Sequence, residues 1–138
     1  MATTTSKLFK AYLDANEIKN EYVDEEETCI FTGCNYKDIS VEMYFCFDDD
    51  DESVCLKGVN FVNVSAGSKE KLLPVINDCN QRFRWIKFYY DTEEDRIFAQ
   101  MDGFIDVGTC AEECSNMMKA MLAIVNTAYP MFMKAIWS

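Results

Sequence analysis

The chain has 138 residues, 13 basic against 24 acidic side chains for a net charge of −11, and a composition that is 49% hydrophobic and 14% aromatic. This suits one folded domain over residues 1–138 with a real core and excludes a disordered chain, while the acidity argues against nucleic acid or anionic lipid as a general-surface partner. Histidine is absent, which removes His-based acid/base catalysis, Ser-His and Cys-His dyads and every Cys/His zinc site.

The first residues lack the continuous apolar run of a signal peptide, and no window is long enough to span a bilayer, so a cytoplasmic protein that avoids membranes is expected. Leu8, Phe9, Tyr12 and Leu13 fall at helical spacing and predict a short helix over 6–17, with Ser6 as N-cap. From Asn20 the period changes to β-prone runs at Glu21 to Asp24, Thr28 to Cys34, Ser40 to Phe47 and Ser53 to Val64. The separators are too short for crossover helices and predict antiparallel hairpins. Ser68 opens a second helical segment perturbed early by Pro74. Two strands follow, Phe83 to Tyr90 and Arg96 to Ile105, joined by the acidic turn Asp91 to Asp95. Thr109 and Glu112 have capping-box spacing before a long helix, which Pro130 should kink or end near Tyr129, leaving an apolar tail through Trp137. The expected fold is therefore α+β in the order α-β-β-β-β-α-β-β-α: an antiparallel sheet with helices packed on one face.

Alternation assigns the faces, because residues two apart share a side and a buried unpaired lysine is costly. Lys87 outward sends Ile86, Phe88 and Tyr90 to the helices and leaves Trp85 and Tyr89 on the open face. Glu42 outward places Val41, Met43, Phe45 and Phe47 inward and Tyr44 and Cys46 outside. Gln100 outward places Ile97, Ala99 and Met101 inward and Phe98 outside. Tyr44, Trp85, Tyr89 and Phe98 would then form an aromatic patch of the kind that marks an interface, unless they are scattered or covered. Gly58 is expected to mark a bulge that changes the phase of its strand.

Other chemistry is thinner. Asp48-Asp-Asp-Asp-Glu52 could hold a hard cation, but it lacks the glycine and terminal glutamate of an EF-hand loop and reads better as a solvated hairpin tip. No metal or cofactor is expected. The seven cysteines include the pairs Cys110/Cys114 on one helix side and Cys46/Cys55 across a hairpin, read as reduced structural thiols. No phosphate-binding, dinucleotide or nucleophile-elbow motif occurs; Asp102 and Asp106, bracketing Gly103, are the best carboxylate pair and have no evident partner. Met117, Met118 and Met121 on the last helix read as core, with an adaptable binding groove as the alternative.

The words Leu72-Leu-Pro-Val-Ile-Asn-Asp-Cys-Asn-Gln-Arg82 and Trp85-Ile-Lys-Phe88 resemble the YbjN-like bacterial family, in which a helix ending in Asn-x-x-Asn precedes a strand of Lys-Phe type. Leu8-Phe-Lys-Ala-Tyr-Leu13 leading to Glu21-Tyr-Val-Asp24 is similar to that family's start, as are the acidic turn between the late strands and the long final helix. Asp91-Thr-Glu-Glu-Asp95 departs from the Asp-Gly turn expected there. The resemblance implies a fold like that of type III secretion chaperones, which are small acidic α+β proteins that dimerise and bind polypeptides, with no catalytic residue and no cofactor.

The expected function is thus a non-enzymatic protein-binding domain, chaperone-like or regulatory, forming a homodimer and taking a protein or peptide partner. Its anchors would be Tyr44, Trp85, Tyr89 and Phe98 on the sheet, or Met117, Met121 and Trp137 on the last helix. The alternative is a small-molecule or divalent-cation binding domain, or a hydrolase using Asp102 and Asp106.

Overall fold

A computed structural model describes residues 3–37, 39–64 and 68–138. Helix α1 (Thr4–Ala15) is followed by strands β1 (Glu21–Tyr22), β2 (Cys29–Tyr36), β3 (Ile39–Phe47) and β4 (Ser53–Val59), helix α2 (Lys69–Arg82), strands β5 (Lys87–Asp91) and β6 (Arg96–Phe104), and helix α3 (Cys110–Ile136). The strands form one antiparallel sheet in the order β1-β2-β3-β4-β6-β5. The fold class and element order are those the sequence predicts.

The helices cover one face. Val41, Met43, Phe45 and Phe47 of β3, Ile97, Ala99 and Met101 of β6, and Phe88 of β5 are buried with Phe9 and Leu13 of α1, Leu72 and Ile76 of α2, and Met118, Val125 and Phe132 of α3. Each strand contributes alternate residues and each helix a stripe, which is how period 2 and period 3.6 meet in one core.

Several local expectations are corrected. The N-cap of α1 is Thr3, whose Oγ1 accepts the Ser6 amide at 3.1 Å. At the start of α3 the expected capping box does not form. Glu113, not Glu112, turns back, its Oε1 accepting the Thr109 hydroxyl (2.7 Å) and the Asp106 amide (3.0 Å). Pro130 does not end α3, which continues to Ile136; Pro130 itself is exposed, and the turn beyond it places Phe132 fully in the core. The run Glu21 to Asp24 yields only a two-residue strand, because Asp24 takes the amides of Thr28 (3.0 Å) and Cys29 (2.9 Å) and closes a turn.

Gly58 makes no bulge. It stays in register opposite Met43 and Ala99, and its lack of a side chain makes room for Met121, whose sulfur would lie 2.6 Å from an added Cβ. The strand stops at Val59 instead, where Asn60 takes φ 60°. The acidic hairpin tip is likewise more than a solvated turn: Asp51 Oδ1 accepts both the amide (2.9 Å) and the hydroxyl (2.8 Å) of Thr5, which pins the β3–β4 hairpin to the start of α1.

Candidate functional site

The open sheet face carries Tyr44, Tyr89 and Phe98, but not as a bare aromatic patch. Tyr89 stacks on Phe98 with ring centroids 5.3 Å apart. Lys57 and Arg96 bring cations within 5.9 and 5.3 Å of the centroid of the same Phe98 ring. Phe98 is buried beneath these neighbours. Tyr44 meets Phe31 edge-on at 5.1 Å and stands directly opposite Lys57. Lysine therefore interrupts the aromatic row, and the face that alternation marks as apolar is half polar.

The helix candidates separate as well. Met121 is fully buried against Gly58 and cannot act as a surface anchor. Trp137 is 80% exposed at the C-cap of α3. Met117 is half-buried and lines a groove that Trp85 also borders.

Trp85 does not lie in a strand. It precedes β5 with φ 76°, a left-handed conformation that is unusual for a bulky residue, and it is 74% exposed with the Arg84 guanidinium over its ring at 5.3 Å. The backbone break cancels the alternation that had placed Trp85 beside Tyr89. Instead it flanks an open groove of about 490 Å³ whose walls are the end of β6, Met101 to Phe104, and the α3 face Glu113, Asn116, Met117 and Ala120. A Cβ on Gly103 would stand 3.3 Å from the Met117 sulfur, so glycine at this position lets the thioether settle against the strand.

Phe104, which sequence reasoning missed, is 91% exposed and borders two further hollows. One is shared with Asp48, Ser53 and Asp102, the other with Asp50, Asp51, Glu52 and Asp106. These three adjoining concavities are lined by carboxylates, apolar groups, Asn116 and Ser53, and by no lysine or arginine among the described residues, although Arg84 stacks on the Trp85 ring that borders the first. The signal for Phe104 was present: the alternation that turns Gln100 outward turns Asp102 and Phe104 outward too.

Asp102 and Asp106 take separate hydrogen-bond partners. Asp102 accepts from Gln100 Nε2 at 3.1 Å, whereas Asp106 accepts the Gly108 amide at 2.8 Å and shapes the turn into α3.

Cys29, Cys46 and Cys55 occupy directly opposed positions on β2, β3 and β4, with Asp102 of β6 next in the row. Burial above all, with a hydrogen bond to Cys29 and the neighbouring thiols adding, pushes Cys46 up to about 12. Burial and the Asp102 carboxylate do the same for Cys55, also to about 12. Both are neutral thiols at pH 7. No group of three or more thiols or carboxylates is arranged to hold a metal ion among the described residues.

The described surface thus offers an open groove bordered by exposed aromatic residues and, on the sheet, two neutral thiols. No helix among the described residues is long and apolar enough to cross a membrane. No curated protein matches the chain. One family does, over residues 5–134: YbjN, described as a "putative bacterial sensory transduction regulator". That match runs from the first turn of α1 to the last turns of α3 and takes in every strand between, so the chain belongs to the YbjN family.

Proposed function

We propose that this chain is a non-enzymatic regulatory domain that works by binding another polypeptide in the groove between the end of β6 and α3. The observation that supports this most is the placement of Phe104, Trp85 and Met117. Two of them are large and largely exposed, and they gather around one concavity instead of lying scattered over the surface. A family described as regulatory accords with a domain whose chemistry is recognition. Aromatic and methionine anchors at the centre with a polar rim are the usual anatomy of a protein interface.

A peptide array of varied sequences tests this. The native protein should retain a defined subset, and the double variant Trp85→Ser, Phe104→Ser should retain none of it while melting at the native temperature. Identical binding by both proteins would sink the groove as the site.

The chaperone-like and self-associating side of this reading rests on other ground. Trp137 stands 80% exposed at the end of α3, outside the groove, and is the anchor for a homodimer. Light scattering at micromolar concentration should give twice the monomer mass, returning to monomer with Trp137→Ser. A monomer at all concentrations removes self-association and leaves the groove untouched.

A further inference from the structure

The β5–β6 ladder stops early. Its last pair is Lys87 with Gln100, yet β6 continues on its other side to Phe104, paired with Ser53 of β4. Within an antiparallel strand, successive residues direct their N–H and C=O alternately to the two neighbours. Ile105 N–H reaches Glu52 O at 2.8 Å, so odd-numbered residues at this end of β6 face β4 and even-numbered ones face the β5 side. Asp102 and Phe104 therefore turn their backbone groups toward a position where β5 would stand if it began a few residues sooner. It does not, because Trp85 at φ 76° carries the chain away. The groove occupies that position.

We infer that the groove accepts an extended segment of a partner polypeptide as an added strand on β6, with apolar and basic residues alternating. This inference rests on the groove being the binding site and names what fills it. An added strand would have one set of side chains on the helix side, beside Met101, Gly103 and Met117, where the surroundings are apolar. The other set would lie beside Asp102 and Phe104, with the carboxylates of Asp48, Asp50 and Glu52 beyond them on the β4 side of β6. Main-chain pairing supplies affinity and the two environments supply specificity. Opposite charge steers such a segment in. A second copy of this edge fits poorly, since antiparallel pairing of two β6 ends would bring their carboxylates together, and like charges across a pair of strands are destabilising.

Short synthetic peptides test it, bound to the full chain in a Trp137→Phe background so that Trp85 fluorescence reports occupancy. The probes are an alternating lysine–valine peptide, the same composition in blocks, an alternating glutamate–valine peptide, and the first peptide N-methylated on every lysine amide, the edge that would face β6. The alternating cationic peptide should bind, protect the Asp102 and Phe104 amides from hydrogen exchange, and weaken about threefold with Asp102→Asn. The acidic, block and N-methylated peptides should each bind about tenfold more weakly or worse. Equal binding of the N-methylated peptide, or no amide protection, overturns strand addition while the groove remains a polypeptide site. Equal binding of the acidic peptide overturns the charge preference. If no peptide binds, the inference fails, and the array with the Trp85/Phe104 double variant decides the groove reading separately.

Discussion

Gly58 shows how one residue can be misread from its neighbours and understood from its contacts. The space that a Cβ would need is taken by the sulfur of Met121, a fully buried side chain, and Val41 Cγ1 would lie 3.2 Å away as well. Gly58→Ala should therefore cost about 1–3 kcal/mol, measurable as a lower denaturant midpoint with unchanged slope; a variant as stable as the native protein would show that Met121 repacks freely. Trp85 presents the opposite case. Its ring is mostly in water and its backbone is left-handed, a conformation that costs a non-glycine residue about 1–2 kcal/mol. Trp85→Gly should consequently leave stability within about 0.5 kcal/mol of native or above it, while abolishing peptide binding. A large loss of stability would mean that the ring serves the fold rather than a partner. Cys46 and Cys55, held near 12, should alkylate slowly at pH 7 and speed up with hydroxide, because the thiolate is the reacting form. Rapid labelling of these two at neutral pH, followed by peptide mass spectrometry, would contradict the neutral-thiol assignment.

Among the elements, the hairpin from β3 to β4 and helix α1 depend on one carboxylate. Hydrogen bonds from the Thr5 amide and hydroxyl hold Asp51 below the usual carboxylate range, and its place beside the first turn of α1 adds a favourable helix-end interaction. Because the folded value is depressed, the stabilisation is present above the unfolded value of about 3.9 and is lost as pH falls through the folded one. Asp51→Asn should flatten the acid limb of the stability curve, read by thermal melts between pH 5 and pH 2. An unchanged acid limb would place the titration elsewhere, with Asp24 the next candidate: burial opposes its ionisation, but hydrogen bonds from Thr28 and Cys29 outweigh that and lower it. Helix α3 passes through Pro130 without ending because Phe132, two residues on, is fully buried. The missing amide and the ring clash of a helix-interior proline cost about 3 kcal/mol; burying Phe132 returns roughly 1.5–3 kcal/mol, and Met131, Ala135 and Ile136, partly buried against the same core, add to it, so tertiary packing overrides a strong local stop. The late hairpin lacks the expected glycine, and Asp95 takes the left-handed position itself at φ 56°, which aspartate tolerates better than most residues.

For the molecule as a whole, the net charge of −11 and the crowding of carboxylates around Phe104 act together. Long-range attraction of a cationic segment should accelerate association and fade with salt. The association rate of the lysine–valine peptide should therefore fall steeply between low and physiological ionic strength while its dissociation rate changes little.

What the sequence determined by itself was the arrangement of elements and the buried face. Those follow from periodicity and spacing: Val41 to Phe47 and Ile97 to Met101 alternate, the final helix carries its stripe, and separators too short for crossover helices leave hairpins. The family resemblance was legible for the same reason, being carried by local words along the chain. The site was legible only in part. Trp85 and Met117 were selected, but for different surfaces, and Phe104 was passed over. Where β5 begins, how far β6 runs beyond it, and which side chain fills the space above Gly58 depend on residues distant in sequence, and strand alternation carries no information across a backbone that turns left-handed. Only the tertiary structure could bring a strand end, a helix face and a displaced tryptophan together, because a groove is a space left between elements and has no sequence of its own.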